Sequence, residues 1–222
     1  MILNIIAPCY SRGMQQIFAL FSRIFNFQVL LLCLALGTGI FILSPNIDLQ
    51  LWLSTRDHGL NLYGAEAVLR GEKPYRDFTW FYGPAMLYYY GLFFKLFGIK
   101  ISSILIGKAV LDLLTGLMIY LSLVRFISPI MSLAACSWFW IFSTGIQYTY
   151  NHTGGMTLLS LLIFLTLQYT LTPKRQIIYA GLATSVLLSL IKLNVGVLNL
   201  AGFILSIALM DRLMTAPENK NP

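Results

Sequence analysis

Residues 101–124 read ISSILIGKAVLDLLTGLMIYLSLV, an apolar run whose only charges are Lys108 and Asp112. About 20 mostly apolar residues suffice to cross a hydrocarbon core about 30 Å thick, so the run predicts a transmembrane helix. Lys108 and Asp112 fall one helical turn apart, where each neutralises a charge that would be costly alone in a bilayer. The whole chain agrees: of its 222 residues 58% are hydrophobic and only 10% charged. A soluble domain carries about a quarter charged residues, so a soluble globule is excluded. The net charge of +7 in so apolar a chain is read as a set of topology signals, with no nucleic-acid partner.

Comparable runs at 27–45, 129–147, 155–172, 176–192 and 195–213 bring the expected number of spans to about six. The fold class is all-α, a polytopic transmembrane helix bundle. The last two runs cannot be one helix, since some 35 residues rising 1.5 Å each would measure about 50 Å. Lys192, Asn194 and Gly196 mark the break. The first ten residues, MILNIIAPCY, lack a basic start and stop at Pro8 after a short apolar run, so no cleaved signal is expected. Apolar residues at helical spacing between Arg12 and Gln28 make 1–27 a cytoplasmic interfacial amphipathic segment. Residues 214–222 form a cytoplasmic tail. Cys9, Cys33 and Cys136 have neither disulfide nor metal-ligand spacing.

Segment 84–98, PAMLYYYGLFFKLFG, decides the sidedness. It is apolar but short, holds Lys95 and begins with Gly83-Pro84, which suits an interfacial or re-entrant helix better than a span. If it does not cross, Arg12, Arg23, Arg125, Lys174, Arg175, Arg212 and Lys220 share one face, cytoplasmic by the positive-inside rule. The transmembrane domain is then 28–213, with one long external loop at 46–100. The short connection 148–154, YTYNHTG, is also external and has no Lys or Arg. The protein is expected to be integral and multi-pass.

Polar chemistry concentrates in the first loop. Asp57 can cap a helix running to about Arg70, and Gly71 ends it. A helix of about 14 residues is roughly 20 Å long, and 71–77, extended by Pro74, can return about as far. Asp77 can therefore come near Asp57. Two carboxylates beside Arg56, His58 and Arg76 suit a reaction that needs a base and cationic holders for phosphate. The plainer reading of the same residues has Asp57 as a helix cap and Asp77 paired with Arg76 or Lys73. Lys192 either serves the site as a second cation or snorkels to the interface. His152, next to Asn151 in the short external loop, either reaches the same face as Asp57 or is a solvated loop residue. Trp80, Phe81, Tyr82 and Tyr88 to Tyr90 are read as an interfacial aromatic belt, with stacking on sugar rings as the alternative. No phosphate-binding Gly-rich loop, zinc motif or nucleophile elbow occurs, so nucleotide-driven chemistry is not expected.

In order after the first span come Asp57-His58-Gly59, Gly71-Glu72-Lys73-Pro74-Tyr75-Arg76-Asp77-Phe78, Gly83-Pro84 with Tyr88, and Lys95-Leu96-Phe97-Gly98. This set resembles the first external loop of GT-C membrane glycosyltransferases, especially the bacterial branch related to protein O-mannosyltransferases and lipopolysaccharide-modifying transferases. The stretch 181–200, GLATSVLLSLIKLNVGVLNL, is similar to a family segment with a lysine after an apolar helix. The resemblance covers 28–213 and corresponds to the N-terminal part of enzymes that generally have many more spans.

It implies transfer of a sugar from a polyprenyl-phosphate donor to a glycan, lipid or protein acceptor at the external face of a plasma (bacterial inner) membrane. Asp57 would be the base on the acceptor hydroxyl, supported by Asp77. Arg76, His58, Lys192, Asn151 and His152 would bind substrate. Some members hold a divalent ion, Mg or Mn, at this aspartate, so Asp57 is the expected ligand if one is used; His58 stands where many have a second acid. From a different class, the chain is a non-catalytic polytopic protein: a scaffold, lipid-binding or transport-related subunit.

Overall fold

The computed structural model describes residues 27–44, 57–145 and 150–215, and the side chains of 29–44, 59–143 and 151–213. The amphipathic segment expected at the N-terminus and most of the C-terminal tail lie outside the described residues, as do the side chains of Asp57 and His58. Among the described residues there are eight helices and no strand: α1 (Phe27–Leu43), α2 (Asp57–Leu69), α3 (Ala85–Phe97), α4 (Ile101–Leu123), α5 (Pro129–Gly145), α6 (Tyr150–Leu171), α7 (Arg175–Ser189) and α8 (Leu193–Thr215).

Helices α4, α6 and α8 are long and apolar enough to cross a membrane. This is a membrane-type helical fold, in which each helix satisfies its backbone groups internally. The other candidate spans also form helices, but shorter ones. α1 and α5 are apolar with 17 residues each and α7 has 15. Helix α3 has only 13 residues, about 20 Å at 1.5 Å per residue, too little to span.

The chain's own residues set the helix ends. Gly71 adopts φ +92°, donating to the carbonyl of Val68 while Glu72 donates to that of Ala67 (3.1 and 3.0 Å). This left-handed stop caps the last carbonyls of α2, and a side chain there would be strained. Pro84 precedes α3, where its missing N–H costs no helical bond. The break after α7 falls at 190–192, so Asn194 and Gly196 belong to α8. Gly196 is small because it abuts the Ser189 backbone, which lets α7 and α8 meet closely.

Helix α4 is central and packs against α1, α3, α5 and α6; α6 carries α7 and α8, and α2 lies along α3. Trp140 of α5 is fully buried against Gly39 of α1 and Gly116 of α4, and its Nε1 donates to the Asp112 carbonyl at 2.9 Å. The pairing of Lys108 with Asp112 is as the spacing implied: Nζ to Oδ2 is 2.5 Å, and Nζ also donates to the Ser143 carbonyl at 3.3 Å. A second buried cluster joins Met86, Tyr90 and Phe94 of α3 to Ala65, Ile104 and Ile191. That cluster ties the loop after α1 to the break after α7.

Candidate functional site

The site begins where α2 ends. Past the Gly71 stop, Lys73 to Phe78 close a tight turn: the Lys73 carbonyl accepts from the N–H groups of Arg76 and Asp77, and Tyr75 N–H donates to the Phe78 carbonyl. Asp77 is the hub of this turn. Its Oδ2 accepts from Lys73 N–H at 2.8 Å, and Arg76 grips both oxygens, Nε to Oδ1 at 2.7 Å and Nη2 to Oδ2 at 2.8 Å. The guanidinium, followed by the Lys73 backbone N–H, pulls the Asp77 carboxyl down to about 2. A carboxylate held so low is a weak base, and here it fixes the plane of Arg76.

Tyr75 at the turn's apex has φ +67°, uncommon for a residue with a side chain. Its hydroxyl donates to the Tyr82 carbonyl. The turn folds back along α2, for the Phe78 ring meets Tyr63 edge-on at 5.9 Å. Tyr63 is six residues from Asp57, about 9 Å along the axis at 1.5 Å per residue. The fold-back that chain length permits is thus taken at least this far. Trp80 is buried near Gly64 and Leu87, and its Nε1 donates to the Gly83 carbonyl at 3.2 Å.

Gly83 makes the next join. Its N–H donates to the Ile191 carbonyl at 3.0 Å, and Ala85 N–H to that of Leu190 at 3.1 Å. A Cβ on Gly83 would overlap the Leu190 carbonyl oxygen, so glycine alone allows this approach. The joined segments bound a cleft of about 650 Å³ lined by Tyr75, Phe81, Tyr82, Gly83 and Pro84 on one side and by Ser189, Leu190, Lys192, Leu193 and Asn194 on the other. Beside it, sharing Tyr75, a hollow of about 370 Å³ is lined by Arg76, Asp77, Phe78, Thr79 and Trp80. Lys192 and the Arg76–Asp77 pair therefore occupy adjoining recesses. An apolar cleft with a cation at its wall can take an amphiphile with an anionic head.

The remaining candidates lie at the start of α6, where His152 comes close enough to Lys192 for their charges to interact. Asn151 lies in the first turn of α6, not in a loop, and is 2% exposed; His152 beside it is helical too but exposed. The aromatic residues divide: Trp80 and Tyr90 are core, while Phe81, Tyr82 and Tyr88 remain exposed, as an interfacial belt requires. Sequence reasoning did not single out Tyr75 or the pairing of 83–85 with 190–191. A Gly-Pro beside an aromatic run was the one local signal for that pairing.

No protein-family model matches the chain, and no curated protein or solved structure matches it either. Among the described residues, no three His, Cys, Asp or Glu side chains come together to hold a metal, and Asp77 already gives both oxygens to Arg76 and Lys73. The side chain of Asp57, the expected ligand, lies outside the described residues.

Proposed function

We propose that the protein is a membrane glycosyltransferase of GT-C type, moving a sugar from a polyprenyl-phosphate donor to an acceptor at the external face of a bacterial inner membrane. One observation carries the reading. The cleft joins an aromatic loop wall to Lys192 and adjoins a second recess holding Arg76, at the end of the helices where the loop after α1 meets the break after α7. The lipid chain would lie among the apolar helix faces. Lys192 and Arg76 would face the phosphate, whose charge grows as the sugar leaves. Asp77 would keep Arg76 in plane, and Asp57, with His58 beside it, would take the acceptor proton. His152, at the exposed start of α6, would meet the acceptor. The external placement of 46–100 rests on the basic residues of the short loops on the opposite side.

The test is transfer of radiolabelled hexose or pentose from polyprenyl-phosphate donors by the full chain in lipid nanodiscs. Transfer is expected with at least one donor, and Asp57→Asn should lower it by about 100-fold or more, within the usual range for a general base. Specific donor binding without turnover, unaffected by Asp57→Asn, would instead favour the second reading, a non-catalytic lipid-binding membrane protein. The tie between Arg76 and Asp77 speaks for that reading, because a saturated ion pair also suffices to shape a loop.

A further inference from the structure

Helix α6 opens with a buried polar side chain that finds no partner among the described residues. Asn151 is 2% exposed, and neither its Oδ1 nor its Nδ2 finds a hydrogen-bond partner among the described residues; the buried Thr153 Oγ1 two residues on is in the same condition. The first-turn N–H groups of a helix also lack intrahelical acceptors. Buried polar groups are nearly always bonded, so three unpaired atoms within a single turn call for a cause.

The helical repeat gives the direction. Positions 151, 154, 155 and 158 share one face of α6. On that face Gly154 abuts Met86 and Ile191, and Leu158 packs on the cluster containing both residues. Asn151 is one turn nearer the helix start, so it is aimed at the junction of 83–85 with 190–191. That junction is the wall of the cleft. Its closure rests on the backbone bonds from Gly83 to Ile191 and from Ala85 to Leu190.

The chemistry of the ligand follows from what is missing. A carboxamide offers two donors and an acceptor, and here both ends are empty. An anion would satisfy Nδ2 and repel Oδ1, whereas a hydroxyl-rich group satisfies both, one hydroxyl donating to Oδ1 and another accepting from Nδ2. We infer that the first turn of α6 is a neutral sugar-hydroxyl subsite, gripped by Asn151, which a glycosyl headgroup enters from the cleft when the wall between 83–85 and 190–191 parts. This rests on the glycosyltransferase reading and assigns the sugar to α6, apart from the phosphate cations.

The test compares farnesyl-phosphoryl mannose, glucose and galactose with farnesyl phosphate, each titrated calorimetrically into the full chain in lipid nanodiscs. Wild type should bind at least one glycosylated probe tenfold or more tighter than farnesyl phosphate. Asn151→Leu, close in volume, should abolish that advantage, leave farnesyl phosphate binding unchanged and keep or raise the melting temperature, because it removes an unpaired polar group and not a bond. Asn151→Ala, read in the same way, stands in if the first variant does not fold. Equal loss for both kinds of probe, or a sugar advantage that survives substitution, overturns the subsite and reduces Asn151 to the site of a buried water. Binding of farnesyl phosphate with no sugar advantage in wild type also overturns the subsite while sparing the phosphate site. If no probe binds, the glycosyltransferase reading falls and the subsite falls with it.

Discussion

At the scale of single residues, Asp77 and Asn151 are opposites. Asp77 has more partners than a surface carboxylate needs, and its proton affinity records them. Its carboxyl titrates at about 2 against an ordinary 3.8, first because of Arg76 and then because of Lys73 N–H. A depressed native pKa means that the stabilisation it brings is full above the ordinary value and disappears as pH falls through about 2. Carbon-detected NMR titration should therefore find the Asp77 midpoint near 2. In Arg76→Gln it should move up toward the ordinary carboxylate range; an unmoved midpoint would assign the whole effect to the Lys73 amide. Among the described residues the Asn151 side chain has no hydrogen-bond partner, and each orphaned group of this kind costs about 1–3 kcal/mol. A cost of that kind is tolerated most readily where function needs the group.

At the scale of elements, the contact of α4 with α5 depends on one charged pair and one indole. Lys108 and Asp112 lie on successive turns of α4 and are both largely buried, with 17% and 7% of their side chains exposed. Replacing a single partner leaves a charge without compensation. Lys108→Met should lower stability by about 3–5 kcal/mol, whereas Lys108→Met combined with Asp112→Leu should recover most of it. Thermal unfolding in detergent would measure both. An equal loss in the single and double variants would mean that the pair does more than neutralise itself. Neither variant removes the bond from Trp140 to the Asp112 backbone carbonyl, so the indole keeps α1, α4 and α5 together while the charges are altered.

At the scale of the whole molecule, the question is which helices cross and which way the bundle faces. Helices α4, α6 and α8 carry the length and apolarity of spans. Helix α3, with 13 residues, lies against α2 and α4, and the loop it follows closes on the start of α8. With 46–100 outside, a cysteine placed at Thr79 should react with a membrane-impermeant maleimide in intact cells, and one at Gln176 should react only after permeabilisation. The reverse pattern would mean that the bundle faces the other way, and the proposed site with it.

Features of this protein that arise between near neighbours were legible in its sequence. The apolar runs gave the helices, Gly71 gave the stop after α2, the four-residue spacing gave the Lys108–Asp112 pair, and adjacency gave the Arg76–Asp77 pair. Each depends on backbone geometry that repeats within a turn or two, so the order of residue types suffices. Other features were read differently from sequence: Asn151 as a loop residue, Trp80 and Tyr90 as part of an aromatic belt, and Asn194 and Gly196 as part of the helix break. Burial depends on what the rest of the chain brings alongside, and periodicity does not contain that information. The cleft is the clearest case. It exists because the backbone at 83–85 pairs with that at 190–191, through a glycine whose missing Cβ matters only when Leu190 arrives. The sequence by itself determined an apolar helical chain with a polar first loop; the tertiary structure alone decided that Lys192 and a buried Asn151 would be brought to that loop.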